Sequence, residues 1–170
     1  RPIRLGMIKN IHAASSFDEG KRNTVVLRTR AGAGKTTTLM MYALDLSKQG
    51  YSVVWIDRAA TQHTQRILSE VRDMNPDCVI VDDADIFGDA TPKLLRMLNQ
   101  GGARLVLASV RTTRDRALGY IANAKYIDEL PLTDPEIRAL HQLLSAAGLL
   151  GALQGVHPLS TRLEHLQHLC

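Results

Sequence analysis

Thr29-Arg30-Ala31-Gly32-Ala33-Gly34-Lys35-Thr36-Thr37 follows the apolar run Thr24-Val25-Val26-Leu27 and opens an apolar-periodic segment over residues 39–46. A strand, a glycine-rich turn and a helix in that order form a phosphate-binding loop. Gly32 and Gly34 let the backbone curl so that successive N–H groups converge on an anion, which the positive end of the following helix also attracts. Lys35 is expected to reach the β- and γ-phosphates, and the Thr36 hydroxyl to hold Mg²⁺. Arg30, Ala31, Gly32, Ala33, Gly34, Lys35, Thr36 and Thr37 are therefore the candidate nucleotide-binding residues, with Arg30 either touching phosphate or pointing to water. Thr29 stands where the pattern G-x-x-x-x-G-K-[ST] has its first glycine.

Working outward, the strand before the loop is expected over residues 24–28 and the helix after it over 36–49, stopped by Gly50. Ser52-Val53-Val54-Trp55-Ile56-Asp57 reads as a second strand, followed by a helix over 61–74 with Ile67, Leu68 and Val71 on one face. Cys78-Val79-Ile80-Val81 is continuously apolar, as a strand buried on both faces should be. A short helix over 92–99, a fourth strand over 103–108 and a fifth over 126–130 complete the series. Strands alternating with helices predict an α/β fold with a parallel sheet covered on both sides. Before the sheet, residues 1–23 read as an N-terminal lead-in, helical over 2–12, then a polar loop with Asp18, Glu19 and Gly20. After it, Thr133-Asp134-Pro135-Glu136 is a capping box, and Thr161 with Glu164 repeats the pattern before a last helix. The expected organisation is a lead-in at 1–23, a core at 24–130 and a truncated helical lid segment at 131–170.

A chain of 170 residues with ordinary apolar content can bury one sizeable core. The net charge of +4 permits a nucleic-acid surface, but Lys and Arg are spread along the chain, which does not favour one. Cys78 lies in an expected buried strand and Cys170 is terminal, which argues against a disulfide and for a reducing compartment. No signal peptide heads the sequence and no apolar run nears membrane-spanning length, so a cytoplasmic location is expected. A start at Arg1 and an end inside a helical pattern suggest a piece of a longer protein.

A parallel sheet binds ligands beyond the carboxyl ends of its strands. The loop, Asp82-Asp83 and the segment from Ser109 to Arg111 all fall there. Asp82 is the candidate to hold Mg²⁺ together with Thr36. Asp83 is the candidate general base that orients water on the γ-phosphate; one methylene shorter than glutamate, it predicts slow turnover. Asp85 could take that role, or be a solvated or helix-capping acid. Arg111 could sense the γ-phosphate or neutralise transition-state charge, with Arg114 and Arg116 as weaker candidates. Asn123-Ala124-Lys125 lacks the Asn-Lys-x-Asp spacing of a guanine reader, which leaves ATP/ADP as the expected nucleotide.

The loop, the Asp82-Asp83 strand end and the Leu105-Val106-Leu107-Ala108-Ser109-Val110-Arg111 strand come in the order seen in the additional-strand class of P-loop ATPases. Within that class the chain resembles the STAND group, signal-transduction ATPases with numerous domains, relatives of NB-ARC, NACHT and AAA+ proteins. The resemblance covers roughly residues 22–160. It implies a three-layer α/β/α P-loop NTPase core with a five-stranded parallel sheet in the order 5-1-4-3-2, followed by a short helical segment. It also makes Gly155-Val156-His157-Pro158-Leu159 a counterpart of the family's Gly-x-Pro element, whose proline lies against the adenine; here one more residue separates Gly155 from Pro158. A winged-helix domain would follow Pro158.

The function this implies is an ATP-binding, slowly hydrolysing Mg²⁺-dependent switch module, with ATP favouring self-association that activates an attached effector, bacterial antiphage defence being one setting. Two other classes stay open. One is a AAA+ DNA-remodelling or replication-initiator ATPase, suggested by the basic charge. The other is a non-hydrolysing nucleotide-bound scaffold, suggested by Asp83 in place of glutamate and Thr29 in place of glycine.

Overall fold

Five strands built from Val, Ile and Leu align in one parallel sheet in the order β2-β3-β4-β1-β5, which is the order 5-1-4-3-2 read from the other edge. They are β1 (Asn23–Thr29), β2 (Val53–Ile56), β3 (Cys78–Val81), β4 (Leu105–Arg111) and β5 (Ala124–Asp128). The helices are α1 (Leu5–Ala14), α2 (Lys35–Lys48), α3 (Thr64–Met74), α4 (Thr91–Gln100), α5 (Asp134–Ala146) and α6 (Leu159–Leu169), with 3₁₀ segments at Ala84–Ala90 and Gly151–Gly155. The structure is a computed structural model that describes residues 5–15, 21–30, 32–56, 64–111, 121, 123–128 and 133–169. The expected Asp18-Glu19-Gly20 loop, Ala31, Arg114, Arg116 and Cys170 lie outside the described residues. The chain divides into two compact units, Ile8–Glu129 and Arg1–Met7 with Leu130–Cys170.

In the sheet unit, register decides which side chains share a face, because paired residues of parallel strands point the same way. Val26, Val81 and Ala108 are aligned, as are Val79 and Val106. These join Ile67 and Val71 of α3 and Leu94, Leu95 and Leu98 of α4 in one core. The alternate positions Val25, Leu27, Ile80, Leu105 and Leu107 face the other way and are equally buried, as are Leu39, Tyr42 and Leu46 of α2. Burying a leucine-sized side chain is worth about 1.5–3 kcal/mol, so this double-sided core carries the unit. On the α2 side, the Ser15 and Tyr42 hydroxyls hydrogen-bond, His12 lies 3.0 Å from Asp45, and Lys125 donates to the Ala14 carbonyl at 2.9 Å. Burial pushes the Tyr42 phenol up to about 12.

Two strands differ from the sequence reading by two residues or more. The fourth begins at Leu105 and runs on to Arg111, because its whole length pairs with β1 from Asn23↔Leu105 to Thr29↔Arg111. The fifth starts at Ala124 rather than Tyr126, its register set by Thr24↔Ala124. Among the described residues, no helix is long and apolar enough to cross a membrane.

In the second unit, Ile137 of α5 and Leu166 of α6 form a small core with Leu140, Leu144, Leu153 and Leu163. The Thr133 capping box is present: the Glu136 carboxylate accepts from both the N–H and the hydroxyl of Thr133 at 2.8 Å. The expected second box is not. Helix α6 starts at Leu159, and the Pro158 carbonyl already accepts the Arg162 N–H, so Thr161 and Glu164 lie inside the helix where no cap is needed.

Candidate nucleotide-binding site

The turn out of β1 is built from backbone. Thr29 is the last residue of the strand, wholly buried and paired with Arg111. An extended position suits a β-branched side chain, so glycine is not required there. Beyond the strand, the two glycines take left-handed conformations, φ 81° at Gly32 and 78° at Gly34. Around Gly32 a Cβ would meet nothing within 4 Å, so conformation alone reserves that position for glycine. Gly34 precedes the first turn of α2, whose N-terminus carries no side-chain cap. Its N–H groups therefore face outward at the positive end of the helix dipole, the arrangement that attracts phosphate. Lys35 opens the helix and is only 7% exposed; its ammonium donates to the Arg30 carbonyl at 3.3 Å.

Two acids arrive from the end of β3, the next strand but one from β1. Asp82 directly follows β3; its Oδ2 accepts the Thr36 hydroxyl at 2.6 Å. Its Oδ1 accepts the Ser109 hydroxyl at 2.6 Å and the Asp83 N–H at 3.0 Å. Asp83 is left-handed, φ 47° and ψ 47°, a conformation a non-glycine residue keeps only when its surroundings hold it. Its N–H donates to Ser109 Oγ at 2.8 Å. Its carboxylate lies 3.9 Å from the Lys35 ammonium and 3.6 Å from the Arg111 guanidinium. Arg111 is also 4.0 Å from Asp85, whose side chain is only 2% exposed. Asp85 is thus a buried acid in the first turn of the 3₁₀ segment, and the expectation of a solvated acid is corrected.

Gly32, Gly34, Lys35, Thr36, Thr37, Asp83 and Arg111 line one cavity of about 260 Å³. Of the other sequence candidates, Asp82 sits on Thr36, Ala33 is buried within the turn, and Arg30 is exposed and contributes its carbonyl to Ala33 and Lys35. Pro158 belongs to the second unit, exposed, at the start of α6. Sequence reasoning gave no role to Ser109; the available signal was a hydroxyl inside an otherwise apolar buried strand. The Thr36 hydroxyl and Asp82 carboxylate are adjacent hard oxygens, the donor type Mg²⁺ takes, so the residues present fit that ion.

The model of the family described as "Novel STAND NTPase 5" matches residues 1–120. No curated protein matches the sequence. Among solved structures, the chain is similar to "AMPPCP-bound DnaA from Aquifex aeolicus", at 17% identity and a TM-score of 0.59, covering 88% of this chain and 53% of that one. It is similar to "Replication initiator DnaA bound to AMPPCP and single-stranded DNA" at 17% identity and 0.57, covering 95% and 54%. A structure described as a DNA replication initiation factor gives 17% and 0.57, covering 85% and 50%. At such identity the likeness is one of fold, and the chain spans about half the length of these structures.

Proposed function

This chain belongs to the Novel STAND NTPase 5 family, and on that premise we propose that it is an ATP-driven switch module with slow, Mg²⁺-dependent hydrolysis. The observation that carries the reading is the buried Lys35 ammonium beside an uncapped helix N-terminus, facing Asp83 and Arg111 across one cavity. The N–H groups of the turn and of α2 bind the phosphates, and Lys35 leaves the Arg30 carbonyl to reach the β- and γ-oxygens. Thr36 and Asp82 would hold Mg²⁺, which would supply positive charge to neutralise the phosphates. Asp83 orients a water and takes its proton as the oxygen attacks the γ-phosphorus and the β–γ bridge breaks. Arg111 moves from Asp83 to the γ-phosphate, where it balances developing charge. Both Asp83 oxygens face cations, so water has to displace one of them, which together with the short side chain supports slow turnover.

Pro158 is the proposed adenine contact, and the proposed organisation is a core at 24–130 with a lid at 131–170. In the longer protein, ATP favours self-association that activates an attached effector, with antiphage defence as the proposed setting and the cytoplasm as the location. Calorimetric titration of ATP and GTP with Mg²⁺ into wild type and Lys35→Ala, followed by phosphate release, tests the core of this. ATP binding that is lost in the variant supports it; equal binding by both proteins rejects it. Bound ADP with no turnover favours the scaffold reading. The DNA-remodelling reading draws on the +4 charge, yet Arg28 pairs with Asp128, Arg66 with Glu70, Arg104 with Asp77 and Arg111 with two acids. Steeply salt-dependent binding to plain duplex DNA would favour it all the same.

A further inference from the structure

We infer that Ser109 is a positioning residue that sets the two acids to separate tasks, aiming Asp82 at the cation and turning Asp83 toward the phosphate cavity. The inference rests on the Mg²⁺–nucleotide reading above. Ser109 is fully buried in a strand that is otherwise apolar up to Arg111. A buried hydroxyl is costly unless hydrogen-bonded, and here both of its bonds go to the acid pair. It donates to Asp82 Oδ1 at 2.6 Å and accepts the Asp83 N–H at 2.8 Å.

Each bond has a distinct consequence. With Oδ1 held by Ser109 and by the Asp83 N–H, the Asp82 carboxylate cannot rotate, and Oδ2 stays directed at Thr36. The second bond ties down the N–H of a residue in the left-handed region, which carries a conformational cost. In that conformation Asp83 faces Lys35 and Arg111 instead of sharing the cation with Asp82. Ser109 lies in register with Leu27 of β1, and Val81, just before Asp82, pairs with Ala108, so the sheet fixes both sides of the clamp. Outer partners of metal ligands typically change metal affinity by about 10- to 100-fold when removed.

The test uses a fluorescent ATP analogue on the whole chain, with Mg²⁺ titrated from an EDTA baseline, in wild type, Ser109→Ala, Ser109→Thr and Ser109→Val. Thr and Val match in shape and differ in the hydroxyl, so they keep the comparison valid if Ala disturbs the fold, which thermal melts report. Nucleotide affinity in EDTA is expected to stay within about twofold in every variant, while the Mg²⁺ midpoint rises about 10- to 100-fold in Ala and Val and is restored in Thr. Val and Ala with the wild-type Mg²⁺ midpoint overturn the inference, as does a Thr variant no better than Val. A wild type that binds the analogue without any Mg²⁺ dependence, or does not bind it, overturns the parent reading itself and the role of Ser109 with it.

Discussion

Each end of β3 has an aspartate that bonds a serine from the adjoining chain, Ser52 just before β2 at one end and Ser109 within β4 at the other, yet only one end forms a site. At the amino end, the Ser52 N–H and hydroxyl both donate to Asp77 Oδ2 at 2.9 Å, and the Asp77 N–H donates back to Ser52 Oγ at 2.9 Å. At the carboxyl end, Asp82 takes the Ser109 and Thr36 hydroxyls. The helix termini that arrive make the difference. In a parallel α/β sheet, helix C-termini meet the starts of strands and helix N-termini meet their ends. The amino end therefore collects carbonyls: Arg22 donates to the Asn99 and Gln100 carbonyls at the close of α4, at 3.1 and 2.6 Å. The carboxyl end collects N–H groups and cations, with the open turn of α2, Lys35 and Arg111 around one cavity. An Asp–Ser pair is a scaffold clip in the first setting and part of an anion and cation site in the second.

The contrast breaks first at Lys35. Lys35→Ala removes charge-assisted bonds worth about 1.5–3 kcal/mol, so ATP affinity is expected to fall about 10- to 100-fold by calorimetry, with little change in melting. Unchanged affinity would mean that the carboxyl end is no more an anion site than the amino end. Asp83→Asn comes next and separates binding from chemistry. Binding should hold while phosphate release slows by about 100-fold or more, the usual share of a positioned base. Turnover at the wild-type rate removes Asp83 from that role, and Asp85→Asn measured alongside shows whether the buried neighbour takes it.

Much of this contrast can be read along the chain. The loop with its two glycines, the continuous run Cys78–Val81 ending in acids, and Arg111 at the close of an apolar run are local patterns whose physics acts within a few residues. The Thr133 capping box is local too, and it forms. What stayed hidden depends on register. The alternation of strands and helices brings Ser109 to the same end of the sheet as Asp82 and Asp83, 27 and 26 residues away, but does not show the hydrogen bonds it makes to both. Asp85 reads as a solvated or helix-capping acid because its burial comes from tertiary packing. The start of β5 is set by its pairing to β1 and not by its own apolar pattern, and the Thr161 box fails because Pro158 had already opened the helix.

Thr29→Gly sharpens the boundary between strand and loop. If Thr29 belongs to the sheet, restoring the motif's glycine costs stability, about 1–2 kcal/mol by urea unfolding from lost strand packing and added backbone entropy. Nucleotide affinity should stay within about threefold, the loop's geometry being set by Gly32 and Gly34. A clear gain in affinity would show instead that the threonine strains the phosphate turn.

Asp77→Asn is the smallest effect and the reverse test, at the end where no ligand is expected. The Ser52 backbone N–H, offset in part by burial and aided by the Ser52 hydroxyl and Arg104, holds the Asp77 carboxyl below its ordinary value of 3.8. A carboxylate with a lowered folded-state pKa adds stability that is complete above the unfolded value and lost as pH falls through the folded one. The variant is therefore expected to be about 1 kcal/mol less stable near neutral pH, a melting shift of about 2–4 °C. That gap should close as the pH is taken below 3.8, where the wild-type carboxyl also loses its charge. Nucleotide affinity should be the same in both proteins. A gap that persists undiminished at low pH would mean the clip works through shape and not charge, and a fall in nucleotide affinity would mean the two ends of β3 are energetically coupled through its four buried residues.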